Sequence, residues 1–209
     1  SLGVLLAIPI ANGVGWNTTL FFYSMIPAFA TLFWTIGGRT SKTKVNKTYF
    51  SMSENLPLIF NRNVLLLALG TIGPLTLFVG YSAWLPTYYN EFKDMTLAEA
   101  GSIVSIIPLI NAISNPISGV ILSKFNSRKL LLISSGSVLP LFAFGSVFGA
   151  SEILLIISVA GIGMFMSIFI VSIITIPMEL PNVDASKVGI VTAAILTTGN
   201  FASVVSPIF

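Results

Sequence analysis

Six stretches of the chain contain no Asp, Glu, Lys or Arg: 1–38, 63–90, 100–123, 130–151, 153–178 and 188–209. Together they hold 160 of the 209 residues. A helix crosses the roughly 30 Å hydrocarbon core of a bilayer with about 20 apolar residues. Each of the last five stretches, 22 to 28 residues long, accommodates one such crossing. The first is too long for one helix and contains Asn12-Gly13-Val14-Gly15, a turn signal by composition. It reads as the end of one span (1–11), a tight turn, and a full span over about 17–37. Six full helices and one partial helix are therefore expected. Strands of a membrane barrel would alternate over about ten residues, whereas these runs are continuous, which selects helices. Only 8% of the residues are charged and the mean hydropathy is +0.95, against about a quarter charged in a soluble domain. So few charges cannot cover a soluble surface, and disorder would need low hydrophobicity with high charge. The expected fold class is all-α, a polytopic transmembrane helical bundle.

Successive connectors alternate sides of the membrane. The set 38–63, 123–129 and 178–188 carries nine of the ten basic residues; the set 12–16, 87–99 and 151–152 carries Lys93 alone against Glu91, Asp94, Glu99 and Glu152. Short loops rich in Lys and Arg stay cytoplasmic, which orients the chain with 38–63, 123–129 and 178–188 inside. Trp84, Tyr88 and Tyr89 then mark the outer end of a span over 64–86, at headgroup level. Thr96-Leu97-Ala98-Glu99 is a capping box that opens the next helix. Leu56, Ile59 and Phe60 fit either a short surface helix or a plain loop. Both ends of the chain read as cut, so a piece of a longer polytopic protein is expected.

The chain has no His and no Cys, so it offers no zinc or haem ligand cluster and no Ser-His or Cys-His nucleophile pair. No carboxylate falls inside the six stretches, and Gly161-x-Gly163 lacks the third glycine of a dinucleotide site. No catalytic residue, metal site or cofactor is expected. Ionisable groups inside spans are the usual sign of ion coupling; here they are missing, so coupling resides elsewhere or transport is not proton-driven.

Polar residues inside the spans are few. Asn111 and Asn115 lie four apart, on one face of a helix expected over about 97–122. Pro108 and Pro116 flank them and should bend it. Asn200 lies midway along the last span. An amide in hydrocarbon requires a partner, which leaves two readings: glue between helices, or the lining of a pathway. Gly145-x-x-x-Gly149 and Gly163-x-x-x-Ser167 have the spacing that lets helices approach closely. Gly70, Gly73, Pro74 and Gly80 loosen the span 64–86, whose Tyr81 reads equally as a hydroxyl offered to a cavity or as an interfacial anchor.

The order of these features resembles the major facilitator superfamily. "LIFNRNVLLLALG", "YSAWLPTYY" and "MTLAEAGSI" resemble the start of the seventh helix, its outer end and the start of the eighth. "NPISGVILSKFNSRK" is similar to the signature loop G-x-x-x-D-[RK]-x-G-[RK]-[RK]. Gly119, Lys124, Arg128 and Lys129 match it, while Ser123 stands where the acid is expected and Asn126 where the second glycine is. "GIGMFMSIFIVSIITIPMELP" looks like the tenth helix, "KVGIVTAAILTTGNFASVVSP" like the eleventh, and "ANGVGWNTTLFFYSMIPAF" like the turn into the sixth. Helices ten and eleven lean toward the cyanate and nitrate/nitrite porter type.

The resemblance implies a partial major facilitator fold. Residues 1–38 would end the N-terminal half (partial helix five, helix six), 39–63 would form the cytoplasmic inter-half loop, and 64–209 would carry helices seven to eleven. It implies a secondary transporter in the plasma membrane that moves a small solute by alternating access. A small organic or inorganic anion is one candidate solute, although this portion supplies no membrane-facing cation to hold one. Multidrug efflux is an alternative, and a membrane-embedded enzyme or complex subunit is an alternative of another class. The implied partners are a small molecule, a coupling proton or ion, and the lipid bilayer, without nucleic acid. Helices seven and ten would line the cavity, and eight and eleven the interface between halves. That nominates Thr76, Tyr81, Asn111, Asn115, Ser167 and Asn200 for the pathway. Gly119, Ser123, Lys124, Arg128 and Lys129 would form the cytoplasmic gate loop.

Overall fold

The computed structural model describes residues 10–11, 13–38, 52–125, 127–181 and 183–205, with the backbone alone for 52–54. Residues 1–9 of the partial span expected over 1–11, the basic residues Arg39, Lys42, Lys44 and Lys47, and Asn12 and Asn126 lie outside the described residues. The chain divides into two compact units, residues 2–51 and 52–209.

In the first unit a single helix, α1 (Trp16–Gly37), follows the turn. The turn is made by Gly15, whose φ of +83° is a left-handed conformation that a side chain disfavours. The Gly15 carbonyl accepts from the Thr19 amide at 3.1 Å and from the Thr19 hydroxyl at 2.9 Å, which closes the first turn of α1.

The second unit contains α2 (Met52–Ile59), α3 (Arg62–Phe92), α4 (Leu97–Val104), α5 (Ile106–Lys124), α6 (Arg128–Phe148), α7 (Glu152–Thr175) with a 3-10 turn over Ile176–Glu179, and α8 (Val188–Val205). No strand occurs among the described residues. Six segments are long and apolar enough to span a bilayer: α1, α3, the α4–α5 pair, α6, α7 with its 3-10 turn, and α8. Their starts follow local chemistry. Asn61, Ser127 and Ser151 cap α3, α6 and α7 by accepting from Asn63, Leu130 and Leu154 amides. Thr96 and Glu99 form the expected reciprocal capping box on α4. Of the two readings for 56–60, the structure takes the helix, α2.

Two boundaries differ from expectation. The span expected over 64–86 is a 31-residue helix that carries Pro86 inside it. Its added turns grip the C-terminal end of α6, whose last carbonyls have no helical donor. Tyr89 and Tyr88, with Lys93 just past the helix, donate to the carbonyls of Ser146 (2.8 Å), Val147 (3.3 Å) and Gly149 (2.8 Å), and Tyr81, before the added turns, donates to the Ala143 carbonyl within α6 (3.1 Å). Tyr89 is thus fully buried rather than an anchor at the headgroups. The helix expected over 97–122 is interrupted at Ser105. Pro108 cannot donate to the Val104 carbonyl four residues back and its ring crowds that carbonyl, so the chain yields there; Pro116 sits inside α5 without a break.

The helices pack chiefly in three pairs, α3 with α8, α6 with α7 and α5 with α7. One apolar cluster joins Leu85 and Tyr89 of α3, Ile103 of α4, Ile107 of α5 and Leu139 of α6 to Leu155, Val159, Ile162 and Met166 of α7. A second joins Val64 and Ala68 of α3 and Val191 and Ile195 of α8 to Phe169 and Ile173 of α7. α7 is therefore shared by both.

Candidate functional site

The nominated pathway residues fall into two groups and one outlier. The first group lies on α3. Ile72, Gly73, Thr76, Leu77, Gly80, Tyr81 and Trp84 line a groove of about 490 Å³. Positions 73, 76, 77, 80, 81 and 84 recur at helical spacing, so one face of one helix forms it. The glycines create the concavity: a methyl placed on Gly73 would have no atom within 4 Å. Thr76 and Tyr81 are the hydroxyl-bearing residues of the lining, and the Thr76 oxygen itself is buried beneath the surface. The Tyr81 proton goes to the Ala143 carbonyl of α6 at 3.1 Å. No residue in the lining carries a charge.

The second group forms a seam between α5 and α7. Ser167 is fully buried; its hydroxyl donates to Asn115 Oδ1 at 2.9 Å and lies 2.9 Å from the hydroxyl of Ser118, which is buried too. With Ser167 donating to Asn115, Ser118 must donate to Ser167, which makes a directed chain of three polar groups. One turn away, Asn111 Nδ2 donates to the Gly163 carbonyl at a long 3.4 Å. Gly163 makes this possible: a Cβ there would strike the Ile107 carbonyl, and Ile110 and the Asn111 amide lie close behind. The small-residue spacing thus brings two backbones together, as expected. Gly145 instead makes room for a side chain, that of Ser158 on α7. Of the two readings offered for Asn111 and Asn115, the geometry makes both of them interhelical hydrogen-bonding groups. Ser118 was not among the nominated residues, although it continues their stripe at 111, 115 and 118, the spacing of one helix face.

Asn200 is the outlier. It is exposed on α8, joins neither group, and its carbonyl accepts from Ser203 Oγ at 2.8 Å. In the gate loop, Gly119, Ser123, Lys124 and Lys129 are exposed. Ser123 Oγ turns back to the Val120 carbonyl at 2.8 Å. Arg128 finds its acid outside the loop: its Nε lies 2.7 Å from Glu179 Oε1, at the end of the 3-10 turn. With Ser123 at the position of the expected acid, Arg128 instead pairs with a carboxylate 51 residues beyond itself in the chain.

The model of the Major Facilitator Superfamily matches residues 1–207. The chain belongs to that superfamily of secondary transporters and is a multi-pass membrane protein. Comparison with curated proteins and with solved structures returns no match.

Proposed function

We infer that the chain serves the movement of a small solute across the plasma membrane by alternating access, with the α3 groove as part of the solute's path. The observation that carries this reading is the meeting of Thr76 and Tyr81 in one concave, glycine-lined face of a spanning helix. Binding sites in transporters lie near the midplane, where two halves rock against each other. On this reading 1–38 ends the N-terminal half, 39–63 is the cytoplasmic connection between halves, and 64–209 belongs to the C-terminal half. The connectors 123–129 and 178–188 are then cytoplasmic too, in keeping with their charge.

The groove's chemistry favours a neutral, largely apolar solute: no residue of the lining is charged, and Ile72, Leu77 and Trp84 offer apolar surface. The lean toward a cyanate or nitrate/nitrite porter rests on the resemblance of helices ten and eleven, and an anion of that kind would need a cation from outside the groove. The breadth of the apolar walls gives multidrug efflux its support as a second reading.

The test is flux through the full-length protein in proteoliposomes. Gly73→Leu fills the groove without striking a neighbouring atom at Cβ. The lost contact predicts a KM raised roughly three- to tenfold, with thermal stability little changed. If Gly73→Ala and Gly73→Leu both leave KM where it was for every transported solute, the groove is not on the path.

A further inference from the structure

We propose that the chain carries a binding site for one anionic phospholipid, in the groove of about 510 Å³ where the N-terminal ends of α3 and α6 meet the 3-10 turn after α7. The site is independent of the solute and of the α3 groove described above.

The lining is graded along the helices. Its polar members all sit at helix ends: Asn63 in the first turn of α3, Ser127 as the cap of α6, Arg128 and Lys129 as the first two residues of α6, and Glu179 closing the 3-10 turn. Of its apolar members, Leu66, Leu67, Leu132, Ile133 and Ile176 lie about one turn further into the spans, and Leu180 follows Glu179 at the rim. Leu66 and Ile133 are 57% and 55% exposed. A free phosphate would use the first set and leave the second uncovered. A phospholipid matches both, with its headgroup at the level of the helix ends and an acyl chain along the leucines and isoleucines.

The charge selects the headgroup. Arg128 and Lys129 face one carboxylate, Glu179, so the site keeps one surplus positive charge. Arg128 spends its Nε on Glu179 at 2.7 Å and retains the outer nitrogens of its guanidinium for a phosphate oxygen. Lys129 is exposed, and Ser127 and Asn63 add donors of their own. Basic pockets between spanning helices on the cytoplasmic side recognise anionic headgroups in this way. Glu179 works against the same phosphate, so it should limit the affinity.

The experiment measures lipid retention by the full-length protein in detergent, read by native mass spectrometry. The probes are phosphatidylglycerol and phosphatidylcholine with identical acyl chains. The wild type is expected to prefer phosphatidylglycerol by about five-fold, the factor that one juxtamembrane cation supplies. Lys129→Gln should abolish the preference, and Lys129→Arg should restore it. Glu179→Gln should raise it, an effect opposite to any that misfolding produces. Lys124→Gln removes an exposed cation outside the groove and should leave the lipid preference as in the wild type. Equal retention of the two lipids by the wild type overturns the proposal. An equal loss in Lys124→Gln, or displacement of the lipid by an equal concentration of glycerol 3-phosphate, overturns it too, the first by showing a diffuse charge effect and the second a headgroup site without a place for the chain.

Discussion

The α5–α7 seam and the α3 groove are built from the same kinds of residue, glycines and hydroxyls within apolar helices, and they end in opposite states. In the seam, Gly163 lets two backbones touch, and Ser118, Ser167 and Asn115 bond to one another across the contact. In the groove, Gly73 faces open space, and Thr76 and Tyr81 lie along a concave surface. A polar residue in a span has to be satisfied in both cases. What decides how is whether a second helix stands opposite the glycine, and that is a property of packing rather than of the residue.

The contrast can be broken first at the glycines. Gly163→Ala drives a methyl into the Ile107 carbonyl, a backbone atom that cannot swing aside. The expected cost is on the order of 1–3 kcal/mol, seen as a lowered Tm in detergent; an unchanged Tm would mean that the two helices are further apart than described. Next comes the hydroxyl hub. Ser167→Ala and Asn115→Ala, alone and together, form a double-mutant cycle in which the coupling should be about 0.5–1.5 kcal/mol. Strictly additive effects would remove the hydrogen bond from the account. The smallest effect is expected from Gly73→Ala. With open space at that position, alanine should raise stability by no more than about 1 kcal/mol through helix propensity, while solute affinity falls as the concavity fills. Destabilisation there as large as at Gly163 would erase the distinction between the two regions.

The spans were legible because bilayer thickness imposes a length on charge-free runs, and every described span coincides with one of those runs, passing its ends by no more than three residues. Helix starts were legible where a cap is local, as at Thr96 and Glu99. What escaped was decided by partners distant in the chain. Nothing near Pro86 announces that α3 continues to Phe92; the reason is the set of orphan carbonyls at the end of α6, more than fifty residues later. The interruption at Ser105 follows from Pro108, yet Pro116 produces none, so the proline rule located only one of two sites. In the candidate site, Asn111 and Asn115 were readable as a pair by spacing, and Ser118 by extending it. Asn200 shares their chemistry and has no neighbour to share it with, which no local pattern reveals. Arg128 was expected in a loop whose acid had been replaced, and the substitute, Glu179, is visible only once α6 and the end of α7 are side by side.

One consequence follows from the double membership of α7. Its Leu155–Met166 portion is embedded in one cluster, its Phe169 and Ile173 in the other, and Ser167 sits at the junction, tied to Asn115 and Ser118. A tilt imposed near one leaflet therefore cannot be absorbed locally. The helix joins the two clusters as one element, so a displacement at either end is carried into the packing of both.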